Sequence, residues 1–510
     1  GCPGSRVEEF RAYYAVQLSG GGQVPGACSE AEPGSPAWMD ALVAHLDQPL
    51  PMTLRLARSK PAVLQDFTRR KLESFSPELS PVPWLPDAYE CSDAHYHSAE
   101  GQELQAWCRA AHRAGLASFQ EISSMLPPIL LAPEAHHRVA DFCAAPGSKT
   151  SQLQDRMLTQ AASAGGLREG GGCRLPTGAL LANDLDASRA RLYLAGRLRH
   201  LPAPNVVITT LPAQKLPFSN DFDRVLTDVP CSGDGTLRKE PTIWERWSPH
   251  DAISLHRSQL RILRRGLSSL APGGLLVYST CSFNPLENEA VVFAALLSSE
   301  YEGVPMEVVE PAAVLPSGLR VSPGLTSWRV PAVLARTRKN QLAWDLEWCE
   351  PAFESCPEAV LKAGVRATMF PPKPEHHALA TQLRRCIRLY PHMMGGGGFF
   401  CAMIRHRGAC SAPSRALRQG AAESREANPL PMLSVSSPEL AELGDFYGLT
   451  PVQEDGTWDT DMHICFDGRR LVLVCKAALG VLGHLASEGK HLPRRSRAAG
   501  GSAPGAAPLP

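Results

Sequence analysis

The chain of 510 residues lacks several features that would assign it to a broad class of protein at once. Its 51 basic residues equal its 51 acidic residues, so it has no global charge typical of nucleic-acid binders, and any basic surface must be local. No apolar run approaches the roughly 18 residues that a membrane span requires. The 15 cysteines have no regular spacing and no apolar signal segment precedes them, which favours free thiols in a reducing compartment.

Changes in composition and hydrophobic pattern along the chain divide it into several segments. Its length is sufficient for two to four domains. A mixed region with short strand-like pieces such as MTLRL comes first, and an array of alternating apolar runs and amphipathic helices follows. The final residues are too poor in large apolar groups to fold. We predict an N-terminal α+β module (1–118), a main α/β domain (119–406), a linker (407–430), a small C-terminal module (431–488) and a disordered tail (489–510).

The main domain carries the pattern of a mostly parallel sheet. Near-continuous apolar runs are typical of strands buried on both faces, and the helical segment between the last two runs predicts a crossover helix. A later run, GGGGFFCAMIR, predicts one more strand. The five earlier runs are RVADF (138–142), ALLAN (179–183), NVVIT (205–209), RVLTD (224–228) and GLLVYST (274–280).

A tight glycine-containing turn follows the first strand of this array. The segment DFCAAPGSKT, from Asp141 to Thr150, leads directly into the helical stretch SQLQDRML. A strand, a tight turn and a helix N-terminus form a pocket in which backbone N–H groups face a ligand, so we predict a site for a nucleoside-bearing cofactor here. The turn is neither a dinucleotide fingerprint nor a phosphate loop, because it lacks the glycine spacing of both. An ordinary strand-to-helix turn is the alternative.

Acidic residues follow the second predicted strand. Asp184 stands where an acid in such sheets accepts hydrogen bonds from ribose hydroxyls, and Asp186 is the second candidate. Either residue could instead be a solvated carboxylate or the N-cap of the next helix.

Two cysteines and an aspartate follow the fourth and fifth predicted strands. Asp228 and Cys231 lie in DVPCSGDG, and Cys281 lies in STCS. Because ligands bind outside the carboxyl ends of parallel strands, we expect the three side chains to face one crevice. A single buried cysteine is usually a small apolar residue, but two at neighbouring strand ends indicate chemistry.

These motifs resemble the Sun-family RNA (cytosine-5) methyltransferases, and within that family the tRNA-modifying branch. The resemblance is carried by QEISSMLPP, DFCAAPGSKT, DVPCSGDGTLRK, YSTCSFNPLENEAVV and the RLYPH and GGGGFFCAM segments. It implies a class I methyltransferase fold, Rossmann-like and α/β, with S-adenosylmethionine as cofactor and RNA, specifically tRNA, as partner. It also implies a monomer with no metal and no membrane association, located in the nucleus or nucleolus, with the cytoplasm as the alternative.

The resemblance implies a role for each residue at the strand ends. Carbon 5 of cytosine is too weakly nucleophilic to take a methyl group until a thiolate adds at carbon 6, so the reaction requires a cysteine. Cys281 corresponds to this nucleophile, Cys231 to the cysteine that assists product release, and Asp228 to the acid that holds the base and touches the cofactor. The remaining implied cofactor contacts are Cys143, Ala144, Ala145, Pro146, Gly147, Ser148, Lys149 and Asp184.

One segment departs from the family pattern. After the third strand the family has an acid that contacts the adenine amino group, whereas this chain has Thr209-Thr210-Leu211-Pro212. Adenine recognition must then use backbone groups or be weaker. A catalytically silent RNA-binding relative is therefore one alternative, and a DNA cytosine-5 methyltransferase, whose nucleophile would be Cys231 rather than Cys281, is another.

Candidate RNA contacts lie just beyond the first cysteine motif. Arg238 and Lys239 are suited to phosphates, and Trp244 and Trp247 to stacking on an unpaired base. For the tryptophans, packing of a loop against the domain is an equally good interpretation.

Overall fold

The structure, a computed structural model, describes residues 4–19, 32–163, 175–201, 203–338, 341–349, 352–408, 462–466, 471–475 and 481. Its helices are α1 (Gly4–Leu18), α2 (Pro36–Leu46), α3 (Ala62–Glu73), α4 (Asp93–Tyr96), α5 (Gln102–Arg113), α6 (Leu126–Leu131), α7 (Ser148–Ser163), α8 (Ala187–Arg189), α9 (Ala195–Leu198), α10 (Ile243–Arg246), α11 (Pro249–Ser269), α12 (Glu289–Tyr301), α13 (Glu358–Lys362), α14 (His377–Gln382) and α15 (Pro391–Met394). A π-helical turn, Ala190–Leu194, joins α8 to α9.

The strands group into four sheets within the described residues. Three of these sheets are small: β2-β3-β1-β4 near the N-terminus and the two hairpins β12-β13 and β16-β17. The strands are β1 (Met52–Leu56), β2 (Leu79–Val82), β3 (Leu85–Cys91), β4 (Ala117–Phe119), β5 (Arg138–Asp141), β6 (Ala179–Asn183), β7 (Val206–Thr209), β8 (Phe222–Asp228), β9 (Leu270–Thr280), β10 (Met306–Val308), β11 (Ser322–Pro323), β12 (Pro331–Arg338), β13 (Gln341–Trp348), β14 (Ile387–Leu389), β15 (Phe399–His406), β16 (Met462–Phe466) and β17 (Leu471–Cys475).

The nine-stranded sheet is the class I methyltransferase fold that the sequence predicts. Its order is β11-β14-β15-β9-β8-β5-β6-β7, and β10 also pairs with β15. The strands β9, β8, β5, β6 and β7 are parallel, whereas β15 runs antiparallel to β9. The chain leaves β5 towards β6 and β7 and then returns to β8 on the other side of β5. The carboxyl ends of β5 and β8 therefore flank the switch point where ligands bind in such sheets.

Each of the five predicted apolar runs forms a strand of this sheet. Their side chains contribute to the hydrophobic core. All five side chains of β6 are buried, as expected for an internal parallel strand. The helix α11 supplies the predicted crossover, begins at the Ser248 N-cap and packs its apolar face on β8 and β9. The run GGGGFFCAMIR becomes β15, which starts at Phe399 because the preceding glycines form a turn.

The N-terminal segment is divided between two structures. Strands β1 to β4 and helices α3 to α5 form a small α+β unit with its own buried cluster. Helices α1 and α2 instead share a hydrophobic cluster with the main domain, in which Phe10 and Trp38 meet Trp244 and Tyr390. The first two helices thus belong by packing to the main domain, whereas the sequence groups them with the α+β module.

Several predictions fall outside the described residues. These are the linker after residue 408, most of the C-terminal module and the tail. Within the module, the structure describes the antiparallel hairpin of β16 and β17. None of the helices in the described part of the chain combines the length and apolar content that a bilayer crossing requires.

Candidate active site

The turn between β5 and α7 is held open by contacts to the neighbouring strand end. The backbone N–H of Ala144 donates to the Asn183 carbonyl at 2.8 Å, and that of Ala145 donates to Asp184 Oδ2 at 2.9 Å. Gly147 has a φ of +99°, and a Cβ there would lie 3.0 Å from Leu194 Cδ1, so the turn requires glycine at this position. The segment forms the tight turn between a strand and a helix N-terminus that the sequence predicts, and its use as a cofactor site stays a prediction.

Asp184 and Asp186 have different roles in this structure. Asp184 is buried, and its two carboxylate oxygens accept the backbone N–H groups of Ala145 and Asp186. Asp186 caps α8 by accepting the N–H groups of Ser188 and Arg189 at 2.8 and 3.0 Å. The structure therefore places Asp184 against the turn between β5 and α7, and for Asp186 the N-cap interpretation is confirmed.

The segment after β7 is fixed by a residue that the sequence prediction missed. Asn183, the last residue of β6, accepts from the Leu211 N–H at 3.0 Å and donates to the Leu211 carbonyl at 2.9 Å. It also accepts from the Thr209 hydroxyl at 2.8 Å. The Leu211 N–H is thus occupied and cannot donate to an adenine, whereas the Leu211 carbonyl keeps a second lone pair. An asparagine directly before the acid of the second strand was the available signal.

Lys149 and Asp228 form an ion pair at the switch point. Lys149 Nζ lies 2.8 Å from Asp228 Oδ2 and donates to Ser124 Oγ at 2.8 Å. Asp228 Oδ1 accepts from the Ser279 hydroxyl at 2.7 Å. Burial lowers the pKa of Lys149, but Asp228, and to a smaller extent Cys281, outweigh burial and raise it, so the lysine remains cationic. The ion pair places one positive and one negative charge beside the strand ends.

The two cysteines predicted to face one crevice are in contact. Cys231 Sγ and Cys281 Sγ lie 3.2 Å apart, and both cysteines are free thiols. The hydrogen bond to Cys281 and burial raise the pKa of the Cys231 thiol well above its usual range. Cys231 therefore favours its protonated form, and either sulfur can be the donor in the S–H···S contact.

A cavity of about 690 Å³ opens beside these residues. Cys281, Asp228 and Lys149 line it together with Lys239, whereas Cys231 is not among its lining residues. The volume lies in the range of roughly 300 to 1,000 Å³ that small-molecule and cofactor sites occupy. Residues of the N-terminal sheet, including Met52 and Thr53, close the opposite wall.

A buried acid beside the turn has a strongly shifted pKa. Asp141 ends β5, and burial raises the pKa of its carboxyl to about 7 against an ordinary value of 3.8. Asp141 Oδ2 accepts from the Thr150 hydroxyl at 2.7 Å, whereas Oδ1 has no partner among the described residues. A buried polar atom without a partner next to an open turn is suited to a polar ligand group.

Cys143 is half-buried at the start of the turn, whereas the next two residues, Ala144 and Ala145, are buried. The Cys143 thiol packs against the main hydrophobic core, and burial raises its pKa well above the ordinary range. The side chain therefore packs as a small apolar group.

Two predictions about RNA contacts are wrong. Arg238 is buried and donates to the carbonyls of Gln48, Pro49 and Gly396, so its guanidinium is not free for a phosphate. Trp244 and Trp247 are each 2% exposed and pack against Phe10 of α1, which confirms the packing interpretation. Lys239 is exposed at the edge of the cavity, as the prediction requires.

Comparison with known proteins supports the resemblance to the Sun family that the sequence motifs indicate. Residues 172–323, which contain both cysteine motifs, match the family described as 16S rRNA methyltransferase RsmB/F. The matched residues therefore belong to a methyltransferase domain of the Sun family. The resemblance predicted from the motifs is therefore confirmed.

The Sun-family relatives include proteins that are named as tRNA methyltransferases. The chain is 35% identical over 403 residues to the multisite-specific tRNA:(cytosine-C(5))-methyltransferase trm4b of Schizosaccharomyces pombe, covering 72% of this chain and 56% of that protein. It is 35% identical over 385 residues to the corresponding protein of Saccharomyces cerevisiae, covering 70% and 51%. A tRNA (cytosine(34)-C(5))-methyltransferase of Drosophila melanogaster is 38% identical over 305 residues, covering 58% and 37%. The chain thus spans between 37% and 56% of these relatives' lengths.

Proposed function

We propose that this chain methylates carbon 5 of cytosine in RNA, with tRNA as the substrate class and S-adenosylmethionine as the methyl donor. The observation that carries the proposal is the contact between the Cys231 and Cys281 sulfurs at the end of a methyltransferase sheet, with Cys281 on the cavity wall. The names of the tRNA-modifying relatives support the substrate class.

The residues at the switch point fit the methyl donor. The turn from Cys143 to Lys149 and the buried carboxylate of Asp184 would hold it, because the Gly147 turn lets a ligand approach the backbone closely. When bound, S-adenosylmethionine supplies an electrophilic methyl group. The free oxygen of Asp141 points to a polar or cationic group on the ligand.

The side chains around the cavity divide the chemistry between them. Cys281 adds as thiolate to carbon 6 of the base, which forms a C–S bond and makes carbon 5 nucleophilic. Asp228 holds the ring nitrogen of the base, and the Lys149 ammonium balances the charge of Asp228. After carbon 5 is methylated, a base takes its proton, the electrons of that C–H bond re-form the C5–C6 double bond, and the C6–S bond breaks to return Cys281 as thiolate. Cys231, 3.2 Å from the nucleophile, assists this release.

The target cytosine must leave its stack to reach Cys281, because the sulfur lies at a cavity wall rather than on an open surface. A cytosine in a loop or junction pays less for unstacking than one in a helix. We therefore expect unpaired cytosines to be the better substrates. Nuclear localisation remains a prediction from the resemblance.

Transfer of a labelled methyl group to an unmodified tRNA pool tests the proposal. The native chain is expected to label cytosine carbon 5 in tRNA but not in cytosine-containing DNA, and Cys281→Ala is expected to abolish labelling. Cys108→Ala, a buried cysteine of α5 outside the site, serves as the matched control. Labelling by Cys281→Ala, or labelling of DNA instead of tRNA, would contradict the proposal.

A catalytically silent RNA-binding protein is the second candidate, because no acid follows β7 and Asn183 occupies the Leu211 N–H. A calorimetric titration with S-adenosylmethionine separates the two candidates. Binding of the donor supports the enzyme, whereas RNA binding without donor binding supports the silent relative.

A further inference from the structure

Two buried carboxylates cross between the loops that carry the cysteines. Asp234 lies three residues after Cys231, and its Oδ1 accepts the backbone N–H of Phe283 at 2.8 Å. Glu287 lies six residues after Cys281, and its Oε1 accepts the backbone N–H of Ser232 at 2.8 Å. Each loop thus sends one carboxylate to a backbone N–H of the other loop.

Glu287 makes the larger set of contacts. Its Oε2 accepts from the hydroxyls of Ser232 and Ser282, both at 2.5 Å, and its Oε1 also accepts from Gln259 Nε2 at 2.9 Å. Ser232 directly follows Cys231, and Ser282 directly follows Cys281. The Glu287 side chain is fully buried, so four donors converge on two oxygens that have no access to water. Hydrogen bonds to a buried charge are among the strongest in proteins.

Hydrogen bonds between the two loops are needed to keep the cysteine sulfurs in contact, because both cysteines lie beyond the residues at which β8 pairs with β9. The register between β8 and β9 ends at Asp228 opposite Ser279. Past this pair, one backbone hydrogen bond joins the loops at the nucleophile itself, from the Gly235 N–H to the Cys281 carbonyl at 2.9 Å. Besides the sulfur contact, further polar contacts between the described residues of the two loops run through Asp234, Glu287 and the two serines.

We propose that Glu287 is a positioning residue that, together with Asp234, holds Cys231 beside Cys281 in the arrangement that the proposed methyl transfer uses. This inference rests on the proposed function for its purpose, but the geometry stands without it. We call Glu287, Asp234 and the two serines the clamp. The clamp is joined to α1, because Tyr14 donates its hydroxyl to Asp234 and the Tyr13 hydroxyl lies 3.2 Å from Asn284 Oδ1. The first helix of the chain thereby supports both loops.

The charge of Glu287 also acts on the neighbouring thiol. Burial, and then the charge of Asp234, raise the pKa of Glu287 to about 7. The titratable groups that face it are Asp234 and Cys231 on the first loop, Tyr13 and Tyr14 on α1, and Tyr278 on β9. Glu287 in turn contributes to the raised pKa of Cys231, as do Asp228 and Cys281.

Two substitutions of Glu287 distinguish the effect of its hydrogen bonds from the effect of its negative charge. Glu287→Gln retains an oxygen for the Ser232 N–H and Gln259, and its amide can donate to the two serine hydroxyls, which rotate to accept. Glu287→Ala removes all four hydrogen bonds. Glu302→Ala and Glu302→Gln, on the exposed end of α12, are the matched controls.

The test is bridging of the two cysteines by dibromobimane, in which each thiolate displaces one bromide, followed by mass spectrometry of the linked peptides. Glu287→Ala is expected to slow bridging about tenfold, corresponding to loss of roughly one hydrogen bond to a charged group. Glu287→Gln is expected to bridge at the native rate, with its pH profile shifted downwards because a negative charge near Cys231 is gone. Both Glu302 variants should behave as native.

Bridging by Glu287→Ala at the native rate would overturn the proposal. Should circular dichroism show that the alanine variant is unfolded, Ser232→Ala, which removes one hydroxyl donor to Glu287, decides, and bridging by that variant at the native rate would overturn the proposal. Bridging requires neither RNA nor methyl donor. A native chain that bridges normally but transfers no methyl group would therefore refute the proposed function and leave the clamp standing.

Discussion

Arg388 and Glu289 form an ion pair whose side chains are 2% and 0% exposed. Arg388 Nε lies 2.6 Å from Glu289 Oε1, and Nη2 lies 2.5 Å from Oε2, so the contact is bidentate. Arg388 Nη1 also donates to the Phe283 carbonyl at 2.8 Å, two residues after the proposed nucleophile. The pair therefore joins β14 and α12 to the Cys281 loop.

Replacing Arg388 by methionine is expected to destabilise the fold by about 3–5 kcal/mol, because Glu289 would remain buried without its partner. The midpoint of urea unfolding, followed by circular dichroism, measures the effect. Lys362→Met breaks an exposed pair with Glu358 and should leave the midpoint nearly unchanged. Equal shifts in the two variants would show that the buried pair has no special weight.

Lys239 and Arg238 are adjacent but should differ in their effect on RNA binding. Lys239→Ala is expected to weaken binding and to reduce the slope of log K against log salt by about one, as for loss of one phosphate contact. Arg238→Met should leave the slope unchanged and lower the melting temperature, since several backbone carbonyls lose their donor. A lower slope in the Arg238 variant would contradict its structural assignment.

Asp184→Asn is expected to weaken S-adenosylmethionine binding by about tenfold or more, because an amide nitrogen would face a backbone N–H now bonded to a carboxylate oxygen. Isothermal titration calorimetry measures the affinity. Asp186→Asn is the matched control, since asparagine caps a helix as well as aspartate does. Equal losses in both variants would place the effect in the loop as a whole rather than in Asp184.

Asp141 should make stability depend on pH in a defined direction. Its pKa is about 7 in the fold and 3.8 ordinarily, so between these values the folded state binds the extra proton. This contribution to stability is present below about pH 4 and is lost as the pH rises to about 7. Asp141→Asn removes that loss, so the melting temperature of the variant minus that of the native chain should rise over this window. A constant difference, as expected for the exposed control Asp66→Asn, would contradict the assignment.

Much of the fold and part of the site could be predicted from the sequence, because both depend on local pattern. The run ALLAN matches β6 residue for residue, and the rule that parallel strands present their carboxyl ends together places Cys231 near Cys281. The roles of Arg238 and Tyr14 could not be predicted in this way. Their partners, Pro49 and Asp234, lie far away in sequence, and such contacts leave no periodic signal.

The same limit explains why the clamp and the position of α1 emerge only from the structure. Glu287 has the sequence context of a loop carboxylate, which is usually solvated. Its four donors come from Ser232 of the Cys231 loop, from Ser282 and from Gln259 of α11, and burial raises its pKa to about 7. Packing between distant segments, rather than residue type, makes this acid distinctive.

Trapping of the covalent adduct tests the central claim most directly. Cys231→Ala, incubated with unmodified tRNA and S-adenosylmethionine, should accumulate a protein–RNA species that survives a denaturing gel, because the adduct forms at Cys281 and is not released. The double variant Cys231→Ala/Cys281→Ala should form none. A stable adduct in the double variant, or in Cys281→Ala alone, would contradict the assignment of Cys281 as the nucleophile.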